Sequence, residues 1–359
     1  MNPRTTVLLV ITALILGAIL YWDHRRSVTT EEAERRAKKL IELKADEVVR
    51  LELVRSNLAI VVVKQDNRWE IREPIVARAD DHAVNAILDQ LEFAQRQRTI
   101  PEDELSSEAL RDFGLLNPSL QLAVRDKTGT HTIFFGAETA TKDAVYARVQ
   151  GQKQICVVPK HVFEQANLPL DSLRSRVLMD FSVGAATRLE IKVAERVIGL
   201  AKSASKPSAE PRWSIVKPFH ARADQRKVAD LLAGLSAIRV SDFVSETAKD
   251  IHFYRLDEPR MELTVGTADR TITLLVGGTP TNDASKVYVK LRNTDPVYTV
   301  RADSAKKFDL HVNDLRDTQV LGFHEEDIHR IEVATPAEKV TLVKTAAFWN
   351  VAGPVAIPA

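Results

Sequence analysis

Trp69-Glu70-Ile71-Arg72-Glu73-Pro74-Ile75-Val76-Ala77-Arg78-Ala79-Asp80 decides the fold of this chain, because the chain repeats it. Trp213-Ser214-Ile215-Val216-Lys217-Pro218-Phe219-His220-Ala221-Arg222-Ala223-Asp224 carries Trp, Pro and Ala-Arg-Ala-Asp in the same register. A third version begins at Trp349-Asn350-Val351-Ala352-Gly353-Pro354. Trp69 and Ile71 alternate with Glu70 and Arg72, the two-residue period of a half-buried strand. Pro74 has no N–H to give a ladder, so the strand ends or lies at an edge there. Asp80 stands where a helix N-cap belongs, its carboxylate accepting from first-turn N–H groups. Val84, Ile87, Leu88 and Leu91 follow at i, i+3, i+4, i+7, a core-facing helical stripe. Asp224 opens the same pattern with Val228, Leu231, Leu232 and Leu235. Burying a Trp removes roughly 150–250 Å² from water, so these rings read as core pins. A paired-Trp platform for glycans or bases would need both rings at one site, and they stand a whole repeat apart.

Outward from these stretches the copies take shape. Copy one spans residues 45–181. Val49, Leu51 and Leu53 alternate with polar neighbours, Ser56-Asn57 turns the chain into Leu58 to Val63, and Asp66-Asn67 turns it again into Trp69. After the capped helix, Gly114 and Pro118 stop a short helix, and a second meander runs from Leu120 to Val158. Copy two, residues 182–323, repeats the landmarks at a near-constant offset. Leu189-Glu190-Ile191 answers Leu51-Glu52-Leu53, Gly277 answers Gly136, Tyr288 answers Tyr146, and Leu315-Arg316 answers Leu173-Arg174. Its polar insertion, Ser203 to Glu210, reads as an enlarged hairpin loop. Residues 324–359 read as the start of a third, incomplete repeat. A sheet without its covering helix leaves apolar surface bare, which points to a fragment or to a tail that pairs with a partner.

Ahead of the copies, residues 1–5 form a short tail and residues 6–22 an almost unbroken apolar run from Thr6 to Trp22. As a helix this run reaches about 25 Å, just short of a ~30 Å hydrocarbon core. Tyr21 and Trp22 suit the interface at one end and Arg4 the other. A small-x-small cleavage site is missing before Asp23-His24-Arg25-Arg26, so the run reads as an uncleaved signal anchor rather than a cleaved signal peptide. Counting Arg25, Arg26, Arg35, Arg36, Lys38 and Lys39 would hold the bulk in the cytoplasm. The very short leading tail before a large domain is instead the layout of an export anchor. Thr29-x-x-Glu32 is a capping-box pattern opening a charged helix through about Leu43, so residues 23–44 read as a juxtamembrane stalk. A lipid-surface helix is the alternative, weakened by interleaved acidic residues. The fold class is therefore α+β: an N-terminal transmembrane helix followed by tandem repeats of antiparallel β-meanders with covering helices.

Composition narrows the function classes. Lys+Arg total 50 against 49 Asp+Glu, which gives no electrostatic footprint for nucleic acid. The single cysteine, Cys156, sits in the apolar run Gln154-Ile155-Cys156-Val157-Val158 and reads as a small buried hydrophobe. His324-Glu325-Glu326-Asp327-Ile328-His329 superficially resembles a zincin motif, but its histidines stand about 140° apart on a helix, and the repeat places them at a strand entry. Gly277-Gly278-Thr279-Pro280-Thr281 lacks the Lys-Ser/Thr of a phosphate loop. Arg174 and Arg316, at equivalent places, fit a structural salt bridge better than a carboxylate-binding role. No catalytic, cofactor-binding or metal residue is assigned.

An N-terminal anchor, a Leu-Glu-Leu meander, Trp-x4-Pro-x5-Asp, Gly114-Leu115-Leu116-Asn117-Pro118, then Gly136 and Tyr146-Ala147-Arg148 together resemble the bacterial domain-of-unknown-function family numbered 4340. The resemblance covers nearly the whole chain beyond the anchor. Copy two departs where Arg255 replaces Gly114 and Tyr288-Val289-Lys290 replaces Tyr-Ala-Arg. The resemblance implies an envelope protein, some members being similar to auxiliary components of ABC-type export systems linked to gliding motility. Taken with the anchor, the expectation is a non-enzymatic, single-pass bacterial inner-membrane protein with its bulk in the periplasm, an auxiliary or assembly module for an ABC-type transport or envelope complex. Exposed meander edges suit strand addition to a protein partner. The alternative is a periplasmic glycan- or peptide-binding protein using the cleft between copies.

Overall fold

The structure, a computed structural model, describes residues 34, 35, 37–56, 58–101, 106–203, 211–319, 325–336, 339–345, 348–352, 357 and 358, together with residue 17. Apart from Gly17, the expected membrane span at 6–22 lies outside the described residues. Among the described residues no helix is long and apolar enough to cross a membrane. The chain divides into two compact units after Arg176.

The first unit is a nine-stranded antiparallel sheet with few helices. Its strands are β1 (Arg50–Arg55), β2 (Leu58–Gln65), β3 (Arg68–Glu73), β4 (Ala77–Arg78), β5 (Arg98–Pro101), β6 (Leu120–Arg125), β7 (Thr130–Glu138), β8 (Ala144–Val149) and β9 (Gln154–Pro159). They lie in the order β4-β3-β2-β1-β6-β7-β8-β9-β5. Two meanders, β1 to β4 and β6 to β9, join edge to edge through β1 and β6, and β5 closes the far side. Leu51 and Leu53 face Val124 and Leu122 on one flank and Val62 and Ile60 on the other. All six are fully buried, so the apolar half of each alternation lies on one face. The helix α1 (Asp81–Glu92) supplies that core, with Val84, Ile87, Leu88 and Leu91 all buried as their spacing predicts. Next come α2 (Ser107–Asp112), α3 (Lys160–Ala166) and α4 (Leu170–Leu173), and α1 packs on α3, α4 and β3.

The Trp-to-Asp stretch works as a hinge of hydrogen bonds between β3 and α1. Trp69 is buried, its indole Nε1–H donates to Asn85 Oδ1 at 3.0 Å, and its backbone N–H donates to Asp81 Oδ1 at 2.8 Å. Asp80 caps the helix, accepting from the N–H groups of His82 and Ala83 at 3.0 and 3.2 Å. The segment after α4 straps it down: Asp80 N–H donates to Leu173 O at 2.8 Å and Ser175 N–H to Arg78 O at 2.9 Å.

The second unit repeats the plan with β10 (Arg188–Val193), β11 (Arg196–Ser203), β12 (Arg212–Lys217), β13 (Ala221–Arg222), α5 (Gln225–Ser236), β14 (Asp242–Ser245), β15 (Met261–Gly266), β16 (Thr271–Val276), β17 (Lys286–Leu291), β18 (Val297–Arg301) and α6 (Ala302–Lys306). The order β13-β12-β11-β10-β15-β16-β17-β18-β14 is that of the first sheet. A register shift after Val61 recurs after Gly199, and the Glu73–Pro74 and Lys217–Pro218 bonds are both cis. Asp224 caps α5 through Arg226 and Lys227, and its N–H donates to Leu315 O at 2.9 Å. Gln225 takes the place of Asp81, accepting from Trp213 N–H at 2.8 Å and donating back to Trp213 O at 2.9 Å. Since the caps are local, Asp80→Ala and Asp224→Ala should each cost about 1 kcal/mol. Thermal unfolding should place the loss in the first unit for one and in the second unit for the other.

Two findings adjust the expected layout. The charged helix does not run on to Leu43; residues 39–44 are non-helical, and Leu40, Ile41 and Leu43 are buried in the first unit's core. Leu40 N–H donates to Ala94 O at 2.9 Å and Arg96 N–H to Lys38 O at 2.8 Å, which ties this segment to the end of α1. At the other end, β19 (Arg330–Ala334), β20 (Lys339–Thr345), β21 (Phe348–Val351) and β22 (Ile357–Pro358) form a separate antiparallel sheet. Its order, β19-β20-β21-β22, is the succession of β1 to β4.

Candidate functional site

The two copies differ at one corner of the sheet, where the loop after the short helix of copy one, and the matching turn of copy two, cross the start of the next hairpin. In copy one, Ala137 N–H donates to Phe113 O at 2.8 Å; in copy two, Gly278 N–H donates to Tyr254 O at the same distance. The crossing is so close that a Cβ on Gly136 would overlap the Phe113 carbonyl oxygen, and one on Gly277 would overlap that of Tyr254. Glycine at 136 and 277 is therefore a steric requirement.

A second glycine has changed sides. Gly114 has φ +67°, and a Cβ there would lie 2.8 Å from Ala137 N and 3.3 Å from Ala137 Cβ. In copy two, Arg255 holds the same left-handed conformation at φ 53°, and the residue opposite is Gly278. Losing the Cβ at 278 makes room for the side chain at 255: a Cβ rebuilt on Gly278 would stand 3.3 Å from Arg255 Cδ. Both glycines of the Gly277-Gly278-Thr279-Pro280-Thr281 run are thus occupied with backbone approach and packing. Sequence reading had no means of seeing this, because the partners lie more than twenty positions apart.

The rings at the corner are arranged differently in the two copies. In copy one, Phe113 stacks on Tyr146 with centroids 4.1 Å apart and planes at 24°. In copy two, Tyr254 meets Tyr288 edge-on at 4.9 Å and 71°, and Phe253 stands against Tyr254 while remaining 68% exposed. Beside them lies a groove of about 680 Å³ lined by His252, Phe253, Arg255, Arg260, Gly278 and Tyr288, among others. Aromatic edges on an open groove suit a planar ligand, while Arg255 and Arg260 share the lining with Asp257 and Glu258, so its charge is balanced. At its rim His252 Nδ1 lies 2.8 Å from Asp257 Oδ2. That hydrogen bond, with the charge of Asp257 and more weakly of Asp250 and Glu258, holds His252 above its ordinary range, and the same bond holds Asp257 below its own. The His contribution to stability is full below the unfolded His pKa and fades as pH rises through the raised one. The Asp contribution fades as pH falls through the lowered carboxylate value, so the pair is intact between the two. An NMR titration should find His252 with a midpoint above about 6.5, and Asp257→Asn should bring it down.

The other residues singled out in the sequence fall apart as sites. The backbones of Arg174 and Arg316 do equivalent work, bridging Ala79 and Ala223. Their side chains do not: Arg174 is buried with Asp171 at 3.7 Å, whereas Arg316 is exposed over the Phe219 ring at 5.6 Å. Cys156 is buried on β9, and burial pushes its thiol up, with Arg96 acting weakly against this. His324 lies outside the described residues; His329 is exposed just ahead of β19. Trp213 borders a hollow of about 610 Å³ at the start of α5, together with Arg212, Arg222, Asp224 and Asp317, but is itself 7% exposed. Trp69 and Trp213 thus each belong to the core of their own unit.

Fold and corner together define a tandem array of one antiparallel α+β unit whose shared residues are structural. The chain belongs to the family described as domain of unknown function (DUF4340), whose model matches twice, over residues 69–211 and 213–355. Comparison with curated proteins and with solved structures returns no match. The matched segments are out of step with the sheets. Each starts at the Trp of one sheet and runs into the next: through β10 and β11 in the first match, and through β19, β20 and β21 in the second.

Proposed function

We propose that this chain is a non-enzymatic, single-pass protein of the bacterial inner membrane, tethered through residues 6–22. Its repeats face the periplasm and serve as an auxiliary or assembly module for an ABC-type transport or envelope complex. One observation carries the reading: what the copies hold in common maintains the frame, while the open corner is rebuilt between them. Trp69 and Trp213, the caps Asp80 and Asp224, the straps at Leu173 and Leu315, and Gly136 and Gly277 recur in place. The aromatic corner, by contrast, is stacked in copy one and grooved in copy two. A fixed frame with divergent surfaces suits recognition of different protein faces better than one duplicated reaction. Crosslinked membranes, solubilised and captured on this chain, should yield transporter or envelope subunits in stoichiometric amounts; their consistent absence would defeat the proposal.

The copy-two groove favours a second reading, binding of a saccharide or peptide against Phe253 and Tyr288. Recovery of bound saccharide or peptide from the captured chain, lost with Phe253→Ala, would favour this reading over the first.

A further inference from the structure

The groove beside Tyr288 carries side chains that copy one does not have. Phe253, Arg255, Asp257, Glu258 and Arg260 stand where copy one has Asp112, Gly114, Leu116, Asn117 and Ser119. Phe253 is 68% exposed, yet its ring is held in place. Tyr254 meets it edge-on at 5.1 Å and 89°, and the Tyr288 centroid lies 6.5 Å away. An apolar ring fixed in one position and left in water gains free energy when a flat apolar surface covers it. The polar side chains around it are uncommitted. Among the described residues, Arg255, Glu258, Arg260, Thr279 and Thr281 make no side-chain hydrogen bond or salt bridge within the protein. No internal bond has to break before a ligand can use them. The backbone, by contrast, is already bonded. Gly277 N–H donates to Tyr288 O and Tyr288 N–H to Gly278 O, both at 2.9 Å, while Gly278 N–H donates to Tyr254 O at 2.8 Å.

We propose that this groove binds an uncharged saccharide, with one pyranose ring laid on Phe253 and its hydroxyls on Arg255, Glu258 and Arg260. This deepens the second reading above and rests on it. A pyranose with equatorial substituents has C–H bonds on its two faces and hydroxyls around its rim. It therefore offers an apolar face to the exposed ring and a polar edge to the side chains beside it. Those hydroxyls both donate and accept, which fits guanidinium donors standing next to a carboxylate acceptor. Arg255 and Arg260 are balanced by Asp257 and Glu258, so these four residues give no net pull on an anion or a cation. An uncharged ligand is the one they suit. A peptide is a poorer occupant, because strand addition takes its affinity from free backbone groups along a sheet edge. The backbone groups of Gly277, Gly278 and Tyr288 named above already have partners, so recognition falls to side chains. The volume, about 680 Å³, lies within the roughly 300–1,000 Å³ of small-molecule sites.

The test uses the full chain in nanodiscs, with cellotetraose and chitotetraose as uncharged saccharide probes and tetra-alanine as the peptide. Calorimetric titration should give saturable binding of at least one saccharide, and saturation-transfer NMR should place the contact on its ring C–H protons. Phe253→Ala should weaken that binding about tenfold or more, and Glu258→Gln and Arg260→Gln each about threefold or more. All three side chains are exposed, so thermal unfolding should not move. Phe219→Ala, at an exposed ring elsewhere in the same unit, should leave binding unchanged. No saturable binding of either saccharide, or binding indifferent to Phe253→Ala, would overturn the proposal. Tetra-alanine bound in a Phe253-dependent way, with neither saccharide bound, would also overturn it and leave the groove as a peptide site. If none of the three probes binds while transporter subunits are still captured, the second reading falls together with this inference and the first stands.

Discussion

Trp69→Ala is expected to destabilise the first unit by about 3–5 kcal/mol. The ring is 1% exposed in the centre of the α1-covered core, so truncation leaves a cavity the size of an indole that the surrounding strands can fill only in part. The loss is not only apolar. Asn85, on α1, would keep its carbonyl oxygen without the indole N–H that now reaches it at 3.0 Å. For a unit of this size that loss corresponds to a fall of roughly 10 °C or more in the midpoint of thermal unfolding. Calorimetry should resolve it as one transition moving while the transition of the second unit stays put. Trp213→Ala should act in the same direction and less strongly, because that ring is 7% exposed and borders a hollow. A ligand platform would behave otherwise: both substitutions would leave the unfolding transitions in place and abolish binding of the partner. The experiment therefore separates a ring that maintains shape from a ring that recognises something.

The repeat was legible because its physics is local. Asp80 and Asp224 cap within three residues, the α1 stripe follows a 3.6-residue period, and β1 to β3 are joined by turns of two residues. Each of these is a short-range pattern that one copy suggests and the second reinforces. The elements that escaped are those whose cause is remote. Strand β5, Arg98-Thr99-Ile100-Pro101, has little alternation to mark it and exists because β9 offers it an edge. Leu40, Ile41 and Leu43 look like the thin stripe of a charged helix, yet they are drawn into the core by backbone bonds from Leu40 to Ala94 and from Arg96 to Lys38 that close beyond the far end of α1. The corner groove was hidden for the same reason. Gly114 and Ala137 in one copy, and Arg255 and Gly278 in the other, exchange a methyl-sized volume across a contact, and no single-residue reading contains that trade. Arg174 and Arg316 illustrate the converse. Their equivalence in the sequence is real, but it belongs to the backbone strap, while the two guanidinium groups occupy unlike surroundings.

Gly136→Ala is the second substitution with a large expected effect, about 3 kcal/mol or more against the first unit, at the upper end of what overpacking costs. The new methyl would meet the Phe113 carbonyl oxygen, a backbone atom that cannot swing aside like a side chain. Relief would require the crossing to open, breaking the Ala137-to-Phe113 hydrogen bond of 2.8 Å and tilting Phe113 off Tyr146. Gly277→Ala should do the same to the second unit. The neighbouring position behaves differently and makes the argument sharper. Gly114→Arg places in copy one the residue that copy two already tolerates in the left-handed region, so backbone strain of about 1 kcal/mol and the clash with Ala137 both contribute. Adding Ala137→Gly removes the Cβ part of that clash, the 3.3 Å approach, while the backbone N at 2.8 Å stays, so the double variant should recover part of the loss, about 1 kcal/mol. Ala137→Gly alone should be mildly destabilising, through chain entropy and a lost contact. A double-mutant cycle on unfolding free energies reads that coupling directly. If the losses simply add, the exchange of glycines between the copies is coincidence, and the copy-two groove did not arise by moving one methyl group across the corner.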